Sequence, residues 1–122
     1  MIKVIIAGGR DFKDFELLKS HCNRYLKEFN NSEDIEIVSG GANGADTLGE
    51  KYAKKKKYKI KQFLADWDNL GKSAGYIRNA EMAKYADILI AFWDGKSRGT
   101  KHMIDLAKKK RLVVKTIYYN HK

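Results

Sequence analysis

Residues 87–100 read DILIAFWDGKSRGT, and the architecture can be built outward from them. The run from Ile88 to Trp93 is wholly apolar. A strand of that kind is covered on both faces, which places residues 87–93 in the interior of a parallel sheet. Residues 94–99 follow as a loop. A helix is then predicted over 100–110, with Met103, Ile104 and Ala107 along one face.

The same unit recurs in both directions. A β-branched strand over 3–7 ends in Gly8-Gly9, and a helix over 14–29 follows with Phe15, Leu18, Cys22, Tyr25 or Leu26, and Phe29 at helical spacing. Residues 30–34 form a polar turn. The strand IEIVS over 35–39 ends in Gly40-Gly41, and Ala45, Leu48, Tyr52 and Ala53 mark the next helix. A third strand is read over 58–65, a loop over 66–71, and a helix over 73–85 with Ile77, Ala80 and Ala83 or Lys84 inward. A last strand spans 112–118. Strict alternation with short loops predicts a single Rossmann-like three-layer α/β domain. Its five-stranded parallel sheet has the order 3-2-1-4-5, with helices on both faces and right-handed crossovers. The domain is expected over 1–119, with 120–122 as a frayed tail.

Composition bounds the rest. Of 122 residues, 43% are hydrophobic and 11% aromatic, enough for a packed core. A lone cysteine, Cys22, excludes an internal disulfide, reads as a small buried residue, and fits a reducing cytoplasm. The first residues lack a signal-peptide pattern, and no stretch reaches the roughly 20 apolar residues of a membrane span. The net charge is +10, from 25 Lys and Arg against 15 Asp and Glu. Two basic runs, Lys54 to Lys57 and Lys108 to Arg111, fall at predicted helix ends, where cations complement the helix dipole.

Ligands of open parallel sheets lie beyond the C-terminal strand ends, where strand order reverses. The glycines concentrate there. Gly8, Gly9, Arg10, Asp11 and Phe12 follow the first strand, and Ser39, Gly40, Gly41, Ala42, Gly44 and Asp46 follow the second. Trp67 follows the third, and Asp94, Ser97, Gly99 and Thr100 follow the fourth; Arg78 and Asn79 sit on the helix between. Glycine between strand and helix lets backbone N–H groups approach an anion, and the helix start adds partial positive charge. These residues are the predicted binding site for a phosphate-bearing ligand. The spacing of Gly40, Gly41 and Gly44 is not that of a dinucleotide fingerprint. A P-loop is excluded because Asp66 and Ile90 stand where its first glycine belongs.

Roles follow from side-chain chemistry. Arg78 is read as a bidentate phosphate grip, the alternative being a surface pair with Glu81 or Asp94. Thr100 offers a hydroxyl and an N–H at a helix start, or serves only as an N-cap. Asp46 is read as the acceptor of a ribose hydroxyl and Glu50 as solvent-facing. Phe12 or Trp67 is read as a stacking surface for a base, while Trp93 finishes the core. His21 and His121 are read as surface or tail residues, and His102 stands alone near the site. With no His, Cys or carboxylate cluster, neither a metal nor a resident cofactor is expected.

Four segments in order, AGGRDF (7–12), SGGANGAD (39–46), ADWDNLGKSAGYIRNAEM (65–82) and DILIAFWDGKSRGT (87–100), resemble the YspA-like branch of the SLOG superfamily. That superfamily includes the cytokinin-activating LOG enzymes, the DNA-processing Smf/DprA proteins and nucleotide-sensing domains of bacterial conflict systems. The resemblance runs over residues 2–118. It implies a Rossmann-like fold, a nucleotide-related ligand and, from the habits of related proteins, a homo-oligomer. In the LOG motif a glutamate follows Gly-Thr by three residues. Here Gly99-Thr100 is retained but Met103 holds that position, and methionine neither moves a proton nor stabilises an oxocarbenium ion. The reading favoured is a module that senses or sequesters a signal, ADP-ribose-like or cyclic nucleotide. A nucleotide N-glycosidase and a single-stranded nucleic-acid binder are the alternatives, the latter disfavoured because no basic stripe is interleaved with aromatics.

Overall fold

The computed structural model describes residues 1–29 and 32–120. Residues 30–31 of the expected polar turn and 121–122 of the expected tail, His121 with them, lie outside the described residues. The strands are β1 (Ile2–Gly8), β2 (Ile35–Ser39), β3 (Lys59–Gln62), β4 (Ile88–Trp93) and β5 (Val113–Tyr118). The helices are α1 (Phe15–Leu26), α2 (Ala45–Lys56), α3 (Trp67–Leu70), α4 (Ala74–Tyr85) and α5 (Arg98–Lys109).

All four strand pairings are parallel, in the order β3-β2-β1-β4-β5. This is the architecture expected from the alternation, and β1 and β4 are neighbours in its interior. Gly8 lies opposite Phe92, so β1 and β4 end level with each other. Side chains on successive strand residues point to opposite faces, and β1 divides accordingly. Val4 and Ile6 join Leu18, Cys22, Leu26, Ile35, Ile37, Tyr52 and Phe92 under α1 and α2. Ile5 and Ala7 join Val38, Met82, Leu89, Met103 and Ile104 under α4 and α5. The sheet is therefore the middle of three layers.

Local chemistry sets the helix ends. Asp14 caps α1 by accepting from Leu17 N at 3.0 Å. Beyond the lysine-rich end of α2, Lys57 turns left-handed at φ 62°, and Arg111 does the same after α5 at φ 65°. A left-handed residue satisfies the last helical carbonyls, as Lys57 N does at Lys54 O.

Four local expectations are revised. The stretch 66–71 is not simply a loop: it contains α3, capped by Asp66, whose Oδ1 accepts from Asn69 N at 3.3 Å. β3 is only four residues long, as befits a short lysine-bearing edge strand. The buried face of α4 is Ala74, Asn79, Met82 and Ala83, whereas Ile77 is 42% exposed. The expected periodicity was one step out of register, because the buried Asn79 looks like an outward-facing polar residue when read alone. His21 is half-buried, stacked on Tyr25 and edge-on to Phe92, rather than free on the surface.

Candidate functional site

Because every strand is parallel, the C-terminal ends of β1 to β5 share one edge. A cleft of about 510 Å³ opens there, astride β1 and β4, where chain order reverses. Ala7, Met82 and Met103 contribute apolar lining. The walls come from the loop after β1, the start of α2, the α3–α4 segment and the start of α5.

The structure brings most of the predicted residues together. Gly8, Gly9, Arg10, Asp11, Ala42, Asp46, Trp67, Arg78, Asn79, Asp94, Ser97, Gly99 and Thr100 all line the cleft. Five others do not, and each has a structural task instead. Phe12 is 2% exposed, stacked on Phe92 at 4.9 Å and edge-on to Tyr119 at 4.8 Å, so no ring face is left for a base. Ser39 is buried; its hydroxyl donates to Glu50 Oε2 at 2.6 Å and accepts from Gly41 N at 3.0 Å. Gly40 lies under Arg78, where an added Cβ would stand 2.6 Å from Nη1. Gly41 and Gly44 take positive φ, and Gly44 presses on the backbone of Gly9 and Arg10. The second glycine loop is thus a packed turn whose glycines permit close backbone approach, and Ala45 N donates to Gly9 O rather than to a ligand.

Glu50 also departs from its expected role. It accepts from both Ser39 and Gln62, the latter at 2.9 Å, and ties the ends of β2 and β3 together. Arg78 turns toward the second glycine loop. Its Nη1 donates to Gly40 O at 2.7 Å and its Nε to Asn79 Oδ1 at 3.1 Å. The carboxylate facing it electrostatically is Asp46. Burial holds the Arg78 guanidinium below its ordinary range, opposed by Asp46 and reinforced by the neighbouring charge of Arg10. Asp46, 6% exposed, accepts from Ala42 N at 3.2 Å. Burial pushes its carboxyl up to about 6, although the hydrogen bond from Ala42 and the charge of Arg78 pull the other way.

The start of α5 is built differently from that of α1. Asp94 Oδ1 accepts from Lys96 N and Ser97 N, each at 2.8 Å, and so shapes the turn before the helix. Ser97, the N-cap residue of α5, makes no side-chain capping bond, and its hydroxyl lies 3.3 Å from Thr100 Oγ1. Lys101 N reaches back to Ser97 O, leaving the N–H groups of the first turn outside the helical ladder. Asn79 Nδ2 lies 3.4 Å from Gly99 O and 3.2 Å from His102 Nδ1. His102 is held edge-on by Tyr76 at 4.5 Å, and burial lowers its tendency to protonate.

Lys72, Gly75 and Tyr76 also line the cleft and were not picked out from the sequence. The signal was present: all three fall inside the segment 65–82 that carries part of the family resemblance. Tyr119 had no local signal. From beyond β5 its hydroxyl donates to Asp11 Oδ1 at 2.7 Å and fills the space in which a Gly9 Cβ would stand. Among the described residues no group of three or more His, Cys, Asp or Glu is placed to hold a metal, and no helix is long and apolar enough to cross a membrane.

A five-stranded parallel sheet in this order, with a cleft at its switch point, defines a Rossmann-like α/β protein. The chain belongs to the YspA, cpYpsA-related SLOG family, whose model matches residues 2–69. It is similar to the gene 61 protein of Mycobacterium phage D29, with 34% identity over 119 residues, 89% of this chain and 90% of that protein. Among solved structures it resembles DNA processing protein A (DprA) of Streptococcus pneumoniae, with TM-score 0.73 and 18% identity over 95% of this chain and 50% of that one. It also resembles DprA of Helicobacter pylori, a structure described for its single-stranded DNA binding mode, with TM-score 0.63, 21% identity, and 94% and 64% coverage. The chain thus spans half to about two thirds of the DprA proteins, and at this identity what it shares with them is the fold.

Proposed function

We propose that the cleft binds a nucleotide-derived, phosphate-bearing small molecule and that the protein acts as a sensor or sequestering module for it. One observation carries this reading: the start of α5, where the N-cap residue Ser97 makes no side-chain capping bond and Thr100 lies in the first turn, opens on the same cleft as Lys72 and Arg78. Free N–H groups at a helix start and converging cations suit a phosphate. Arg78 has two donors committed to Gly40 and Asn79, so Nη2, beside Gly75, is the part of it that serves a ligand. Asp46, in the same wall, accepts a ribose hydroxyl. The volume lies within the range of small-molecule sites. Met103 takes the place of the LOG glutamate in the lining, which favours retention of the ligand over glycosidic cleavage.

Mass spectrometry of ligand released from purified, heat-denatured protein tests the reading, followed by calorimetry with ADP-ribose and a cyclic mononucleotide. Thr100→Ala should weaken binding by about 1.5–3 kcal/mol, the range for a hydrogen bond to a charged group. Recovery of no nucleotide species, together with no heat from either compound, would overturn it.

Single-stranded nucleic-acid binding is the second reading, favoured by the net charge of +10 and by the DprA likeness. The basic runs argue for a different location. A helix that follows a parallel strand runs back across the sheet, so Lys54 to Lys57 and Lys108 to Arg111 end up at the edge away from the cleft. Binding of oligonucleotides at that edge would fall steeply with added salt and be indifferent to Thr100→Ala.

A further inference from the structure

The cleft has an aromatic side as well as a cationic one. Trp67 is 48% exposed, a large apolar surface to leave in water, and it lines the cleft. It is also held firmly. Asp66 caps α3 in front of it, Gly71 N donates to Trp67 O, and its indole lies against the backbone of α4 at Gly75, where a Cβ would stand 3.2 Å from Cη2. Across from it is Arg10, with Cζ 6.0 Å from the indole centroid. The Arg10 backbone is fixed, since Gly44 presses on its carbonyl and Phe12 N donates to the adjoining Gly9 O, but its side chain is exposed.

We infer that Trp67 and Arg10 form the two sides of a slot for a flat heteroaromatic base, with the phosphate at the start of α5. Stacked planes sit about 3.5 Å apart at contact, so a base between guanidinium and indole needs them about 7 Å apart. Arg10 Cζ now lies 6.0 Å from the indole centroid, and an exposed arginine opens the gap by rotating its side chain. Guanidinium planes and aromatic rings are the usual stacking surfaces for unpaired bases. The slot therefore assigns the ligand to base-bearing nucleotides rather than sugar phosphates, and it assigns Arg10 to the base rather than the phosphate. This rests on the nucleotide reading of the same cleft.

The test is calorimetry with AMP, GMP, CMP, UMP, ADP-ribose and a cyclic mononucleotide against ribose 5-phosphate, which carries no base. At least one nucleotide should bind more tightly than ribose 5-phosphate. Trp67→Ala should weaken that nucleotide between about 5-fold and about 150-fold, the range for losing one stacking partner. It should leave ribose 5-phosphate unchanged, and Trp67→Phe should restore much of the loss. Arg10→Lys keeps the charge and removes the plane, so it should also weaken the nucleotide selectively. If ribose 5-phosphate binds as well as every nucleotide, or if Arg10→Lys and Trp67→Ala weaken both ligand types equally, the slot is refuted while the phosphate site stands. If none of these compounds binds, the nucleotide reading of the cleft falls and the slot falls with it.

Discussion

Asp46 offers the sharpest probe of whether this cleft is kept for a ligand. The residue is 6% exposed, and burial pushes its carboxyl up to about 6 from an ordinary value of 3.8. A rise of that size, at roughly 1.4 kcal/mol for each pH unit, makes ionised Asp46 about 3 kcal/mol less favourable in the folded chain than in the unfolded one. Because the folded value lies above the unfolded one, the folded chain holds more protons between pH 3.8 and about 6. The stability due to this group is fully present below pH 3.8 and is lost as pH rises through about 6. Asp46→Asn mimics the neutral form and retains an oxygen to accept from Ala42 N. It should therefore match the parent protein near pH 3.8 and exceed it at pH 7.5 by up to about 3 kcal/mol, roughly 10 °C in Tm for a domain of this size. Urea unfolding of both proteins across this pH range measures the difference. The same variant should bind nucleotide more weakly, because an amide replaces the acceptor for the ribose hydroxyl. A buried charge that destabilises the fold yet supports binding is the pattern of a functional site. An Asn variant less stable than the parent at pH 7.5, or a difference that does not vary with pH, would refute this account of Asp46.

Other outcomes follow from the same contacts. Arg78→Ala should destabilise the fold by about 1–3 kcal/mol in urea unfolding, since it strips the Gly40 carbonyl of its donor and Asp46 of its opposing charge; Arg78→Lys should recover part of this. Tyr119→Phe, which deletes only the 2.7 Å bond to Asp11, should lower stability by about 0.5–1.5 kcal/mol and weaken nucleotide binding by loosening the loop that carries Arg10, both readable by calorimetry. Burial pushes the Cys22 thiol up to about 12, so a thiol reagent at pH 8 should react slowly with the native protein and rapidly in denaturant.

Much of this protein was legible along the chain. Alternating β-branched strands and amphipathic helices, with turn residues between, specify parallel crossovers, and the apolar run Ile88–Trp93 had to be interior because polar edges do not tolerate such a strand. From strand order alone came the position of the cleft and most of its lining, Arg10, Asp46, Trp67 and Thr100 among them. Those features depend on local periodicity and on which edge the loops share. What the sequence did not contain is which of several chemically suitable groups faces the cavity. Phe12 and Trp67 both follow strands and both have flat rings. Only packing against Phe92 and Tyr119, the latter 107 residues further along, sends Phe12 into the core. Arg78 and Gly40 lie 38 positions apart, and only their approach in space makes Arg78 a clamp on the second loop as well as a lining residue of the cleft. Local spacing fixes direction along a strand or helix. The partner a side chain meets is set by the docking of layers that are distant in sequence, and that is decided in the tertiary structure.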